Sequence, residues 1–275
     1  MWRREFDDLL NGIAGAFLFG IPLLYTMEVW DIGSDLTPLH MLLYLGLTYV
    51  ALVALNRATG FRRNSDETWS RSLADSIEAL ALGALVASFS LIILQRITFD
   101  LAYDVILGKI VLETMPCAIG VGMANGLLRR EDNDEQEAEQ RSFWHATLVD
   151  AGGTMLGATV VGLSIAPTDE VGVIAASLPP WWLWLIMAAS LLISYVIVFQ
   201  AEFGDHQQRR RERGLFQSPL SETIASYIIS LVFALVTLRV FNQLGTGTSL
   251  HQVIDYTIVL GLPATVGGAA GRLAV

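Results

Sequence analysis

The chain has 275 residues, of which 53% are hydrophobic and only 16% charged, with a formal net charge of −10 and a mean hydropathy of +0.51. Soluble domains carry about 25% charged residues. The deficit excludes a disordered chain, a basic nucleic-acid-binding domain and, with Cys117 as the single cysteine, a disulfide scaffold.

A membrane helix needs about 20 predominantly apolar residues. Eight segments reach that length, at roughly 9–30, 39–56, 73–95, 101–128, 143–165, 179–200, 219–241 and 250–272. The pattern predicts an all-α, polytopic membrane bundle with eight transmembrane helices. In the first span Pro22 is expected to kink the helix, with Glu28 and Trp30 at its outer end. No small-residue cleavage site follows, so this span reads as an uncleaved helix. Loops at 31–38, 57–72, 166–178, 201–218 and 242–249 separate the others, and the run Arg129 to Glu137 reads as a solvated charge cluster.

Arginine placement sets the orientation. With a cytoplasmic N-terminus, fourteen arginines, Arg272 among them, fall on cytoplasmic segments and Arg96 alone falls on an outer loop. Both termini are then cytoplasmic, and the expected location is the inner (plasma) membrane. Trp30, Trp181, Trp182 and Trp184 fit an outer aromatic belt.

The chain also repeats itself. Shifted by 147 residues, Leu73–Ile77 falls on Leu220–Ile224 and Pro116–Gly120 on Pro263–Gly267. At a shift of 137, Ala14-Gly15 falls on Ala151-Gly152 and Gly20 on Gly157. The expected organisation is a four-helix membrane repeat at 1–128, an acidic cytoplasmic linker at 129–142 and a second four-helix repeat at 143–275. Four spans per unit makes the repeat parallel, an arrangement that places sites between the halves.

Glu113 is the sharpest candidate for chemistry. It lies about 18 Å into its span, near the bilayer midplane, where a carboxylate must be neutralised, paired or hydrated. Lys109, one turn earlier, is an available partner. Pro116 and Pro263 free carbonyls at Leu112 and Val259, the first adjacent to Glu113. Asp75 and Glu222, equivalent by repeat, open their spans at the cytoplasmic end as helix caps or vestibule acids, with Glu78 one turn deeper than Asp75. Asp150 sits beside Gly152 and Gly153, Asp255 one turn from His251, and Arg239 near the outer end of its helix, where it can snorkel. Small-residue pairs at Gly122/Gly126, Gly153/Gly157 and Gly267/Gly271 favour close helix crossings. No phosphate-binding loop, nucleophile elbow, metal-ligand spacing or potassium-filter string occurs, so no enzyme, cofactor or resident metal is expected.

The string Ala14–Trp30, AGAFLFGIPLLYTMEVW, resembles a bacterial domain-of-unknown-function family of integral membrane proteins. The segments around Pro116 and Pro263 are compatible with it. The resemblance implies an integral membrane protein and brings no activity and no catalytic residues. The expected function is a transporter or channel for a small cation or protons, with the lipid bilayer as surroundings and no nucleic-acid partner. The pathway candidates are Glu113, Lys109, Asp150, Asp75, Glu78, Glu222 and Asp255. A non-transporting scaffold or assembly protein is the alternative, and membrane-embedded catalysis has least support. Substrate identity and oligomeric state are not legible.

Overall fold

The computed structural model describes residues 2–59, 69–127, 143–200, 219–245 and 247–273. Among them are ten α-helices and no strand. The chain forms two compact units, Met1–Leu128 and Arg129–Val275. Six helices are long and apolar enough to cross a membrane, or up to eight if each of two sharply bent helix pairs is one span.

The first unit contains α1 (Trp2–Leu24), α2 (Met27–Ser34), α3 (Pro38–Thr59), α4 (Trp69–Ile93) and α5 (Tyr103–Leu127). The last of these packs against all four others. The tightest crossing is between α1 and α5. A Cβ on Gly15 would strike the Gly120 carbonyl oxygen, and one on Gly120 would strike the Gly15 carbonyl. Without a hydrophobic drive between helices in lipid, such backbone approach is a main source of association. Gly83 meets Ala118 while Lys109 reaches Arg96, so α4 and α5 run antiparallel.

The expected first span, 9–30, is not one helix. It stops at Leu24, and α2 leaves at 87°. Pro22 sits in the last turn, and the carbonyls that would continue the helix are taken by other donors. The Thr26 hydroxyl bonds the Pro22 carbonyl at 3.0 Å, the Thr26 amide bonds Leu23 at 2.9 Å, and the Trp30 indole bonds Leu24 at 3.1 Å. Trp30 is therefore buried and caps the break, where the sequence placed it in an outer aromatic belt.

The second unit contains α6 (Phe143–Ile165), α7 (Glu170–Ser177), α8 (Trp182–Tyr195, prolonged by a π-helical turn Val196–Gln200), α9 (Pro219–Val240) and α10 (Leu250–Leu273). The last helix again packs against the other four. The bend between α6 and α7 is 88°. The sequence reading left α7 inside the 166–178 loop because eight residues cannot reach membrane length. It forms because Val171, Ile174 and Ala175 find a buried seat. At the bend the Thr168 amide bonds the Ile165 carbonyl at 3.1 Å and its hydroxyl bonds the same carbonyl at 2.7 Å. The glycine stripes of α6 and α10 face each other. A Cβ on Gly157 would strike the Gly267 carbonyl oxygen, and one on Gly271 the Gly153 carbonyl.

Two residues beyond both α4 and α9 comes a left-handed residue, Gln95 with φ 55° and Asn242 with φ 58°. The amides that follow close the same wide turn, from Arg96 to the Leu91 carbonyl at 2.8 Å and from Gln243 to Leu238 at 3.0 Å. Each of these residues then grips its own unit's bend. The Arg96 guanidinium lies 4.9 Å from the Trp30 ring centroid, and the Gln243 amide donates to the Thr168 carbonyl at 3.2 Å.

Candidate functional site

Glu113 is the eleventh residue of the 25-residue α5, about 15 Å along the helix. It is 0% exposed, and neither carboxylate oxygen has a hydrogen-bond partner. A buried carboxylate with no partner is costly, and in lipid it marks a functional position by default. Its surroundings follow from neighbouring small residues. Gly20 of α1 seats the Cys117 thiol, since a Cβ there would lie 2.5 Å from Sγ, and the close contact of Gly83 with Ala118 brings α4 in beside them. Tyr44 of α3 and Cys117, one turn further along α5, are the ionisable side chains that feel the Glu113 charge. The Thr114 hydroxyl turns back to the Ile110 carbonyl at 2.6 Å. Pro116 carries no amide for the Leu112 carbonyl next to Glu113.

Lys109 does not pair with Glu113. Its Nζ donates to the Arg96 carbonyl at 3.1 Å, and the carboxylate whose charge it feels is Asp31 of α2. The i, i+4 spacing permits a pair, but α4 ends close enough to offer a carbonyl. There burial holds the Arg96 guanidinium below its ordinary pKa.

The other predicted acids do not gather around Glu113. Asp75 and Glu78 are half-buried on α4, and neither is without a partner. From the antiparallel register they lie about 20 Å and 15 Å along the helices from Glu113. In the second unit Glu222 pairs with Arg272. Arg272, counted in the sequence as a cytoplasmic-face arginine, is 2% exposed in the last turn of α10, and its guanidinium lies 5.9 Å from the Phe199 ring centroid on the π-helical turn. Asp255 accepts from His251 Nδ1 at 2.7 Å, and its other oxygen is buried without a partner. It stands about 25 Å along α10 from Arg272. Arg239 is exposed and donates to the Leu244 carbonyl at 3.1 Å. Asp150 lies on α6, but its side chain is outside the described residues. Pro22, Pro116 and Pro263 all lie within helices, and α5 and α10 continue through theirs. Among the described residues no three His, Cys, Asp or Glu side chains come together as metal ligands.

Sequence reasoning missed Arg272, and it missed Tyr227. The Tyr227 hydroxyl is buried on α9 without a hydrogen-bond partner, 4.0 Å from where a Cβ on Gly261 would sit. A signal was present. Thr223, Ser226, Ser230 and Thr237 recur at helical spacing on α9 and are all buried, with Ser226 bonded to Thr154 at 3.0 Å.

With an all-helical bundle and membrane-length helices in place, one comparison decides the family. A family model described as "Putative integral membrane protein (DUF2391)" matches residues 8–275. The chain belongs to the DUF2391 family. No curated protein and no solved structure matches it. Membership of DUF2391 establishes an integral membrane protein and carries no assigned activity.

Proposed function

We propose that this DUF2391 protein moves a small cation or protons across the membrane, as a carrier or channel rather than an enzyme, with Glu113 as the cation-accepting group. The observation that carries the reading is a carboxylate 0% exposed, without a hydrogen-bond partner, near the middle of a membrane-length helix. The pathway assignment centres on Glu113, because Lys109 is committed to Arg96, Glu222 to Arg272 and Asp255 to His251, while the Asp150 side chain lies outside the described residues. The scaffold alternative rests on small-residue faces and charged loops, and of these the faces at Gly153, Gly157, Gly267 and Gly271 are used inside the second unit. Purified protein in liposomes tests the reading. Cation-dependent flux should appear in wild type and fall to the rate of empty liposomes in Glu113→Gln. Equal flux in both would overturn it.

The reading includes eight crossings, both termini on the cytoplasmic side of the inner membrane, no nucleic-acid partner, and two units related by duplication. The duplication is supported by the same order of elements, bends of 87° and 88°, and left-handed residues Gln95 and Asn242 that match at the 147-residue shift. So do two hydroxyl bonds, Ser76 to Ser72 and Thr223 to Pro219. For the first helix the matching positions are Gly15 with Gly157 and Thr26 with Thr168, a shift of 142 in place of 137.

A further inference from the structure

We propose that the cargo accepted by Glu113 is the proton, bound as a neutral carboxylic acid, and that the site does not hold a metal cation. The inference rests on the pathway reading above and concerns which cation the site can take. Three observations carry it.

The first is charge. One carboxylate supplies a single negative charge. On α4, Asp75 and Glu78 have partners of their own and lie about 15 Å or more away along the helices. On α2, Glu28 and Asp31 are exposed, and Asp31 faces Lys109. On α1, Glu5 and Asp8 lie beyond the Gly15–Gly120 crossing, toward the other end of α5. On α3, His40 is exposed and bonded to Thr37, and Tyr49 bonds the Leu73 carbonyl. The phenols at the level of Glu113 are Tyr44 and Tyr25, and Tyr25 has a partner. A divalent ion would keep half of its charge uncompensated.

The second is ligand number. A calcium or magnesium ion takes six or more oxygens. The oxygens around Glu113 are its own two, the Leu112 carbonyl that Pro116 leaves without its helical donor, the Tyr44 hydroxyl, which feels the Glu113 charge, and the Thr114 hydroxyl, which already donates to Ile110, and these stay short of six. The next group along α5 is the Cys117 thiol, a soft ligand that hard cations avoid. The remaining neighbours, Gly20, Gly83 and Ala118, are side-chain-poor and closely packed. A proton needs no such cage.

The third is the missing cation. Lys109 is one turn away and turned to Arg96, so among the described residues no cation pairs with an ionised Glu113. Proton uptake removes that charge in one step. A hydronium ion gives its proton to a carboxylate oxygen, an O–H bond forms, and a water molecule leaves. The new O–H has an acceptor nearby, because Pro116 leaves the Leu112 carbonyl without its helical donor.

The experiment combines infrared titration with flux on the full chain in liposomes. In wild type a protonated-carboxyl stretch should appear and vanish reversibly with pH, unchanged by added sodium, potassium, magnesium or calcium, and be absent in Glu113→Gln. An internal pH dye should report proton flux unmatched by any of the four metals, retained in part by Glu113→Asp. A carboxyl stretch that does not titrate, or that shifts with a metal, overturns the proposal. Metal flux lost in Glu113→Gln without proton flux also overturns it and leaves the pathway reading standing. A titrating carboxyl with no flux of any ion supports the proton site and overturns the pathway reading. Because the chain carries 27 acidic residues, a shift of the same titrating stretch in Glu113→Asp assigns it to Glu113 if Glu113→Gln does not fold, and an unshifted stretch overturns the assignment.

Discussion

Gln95 and Asn242 are the two non-glycine residues with left-handed backbone among the described residues, and they stand 147 residues apart, the interval between Pro116 and Pro263. Each follows a long helix and lets the next amide close the turn. For an L-residue with a Cβ this conformation costs about 1–2 kcal/mol, less for asparagine, whose short side chain tolerates it. Gln95→Gly should therefore stabilise the protein by up to about 1 kcal/mol after the entropy cost of glycine, and Asn242→Gly by less. Unfolding in mild detergent checks the order. A larger gain at Asn242 would contradict it.

Trp30 holds the first bend with two interactions, the indole bond to Leu24 and the face offered to Arg96. Trp30→Phe keeps most of the apolar volume and removes the donor, leaving a buried carbonyl. The expected loss is about 1–3 kcal/mol. Trp184→Phe, at an exposed position, should change stability by under about 0.5 kcal/mol.

Arg272 and Glu222 form a pair that is asymmetric in burial, with side chains 1% and 28% exposed. Glu222→Leu strands a buried guanidinium and should cost about 3–5 kcal/mol. Arg272→Met strands a carboxylate that reaches solvent and should cost less. The double variant should recover much of the Glu222→Leu loss, and a double-mutant cycle reads the coupling directly.

The glycine crossings separate from ordinary helix glycines. Gly15→Ala and Gly157→Ala each drive a methyl into a facing carbonyl oxygen and should prevent the α1–α5 or α6–α10 approach, with losses of about 2 kcal/mol or more. Gly46→Ala on α3 meets nothing described within 4 Å and should gain up to about 1 kcal/mol in helix propensity. Equal effects at Gly15 and Gly46 would remove the case for the crossing.

Hydropathy made the long helices legible, with ends within a few residues, because a membrane-length apolar run has few alternatives. It could not reveal the bends. Tyr25 and Thr26 interrupt α1 without a glycine, and α7 is too short to register as a span. Pairing was hidden for a related reason. Lipid-facing and buried faces are both apolar, so periodicity does not say which face of α5 meets which helix. Glu113 stood out because a charge in such a run is rare. That Lys109 would turn to a backbone carbonyl, or Arg272 would lie buried against Phe199, depends on helix ends brought together only in three dimensions.

The glycine crossings also set an order of events during synthesis. In each unit they join the first helix to the last, Gly15 to Gly120 and Gly157 to Gly267. At roughly 5–20 residues per second, the ribosome needs roughly 5–20 s to travel from the first member of either pair to the second. For that interval the glycine face of α1, and later that of α6, is without the helix it packs against. The closing helix is the one that brings Glu113 into the first unit, so its carboxylate enters the bilayer last among that unit's helices.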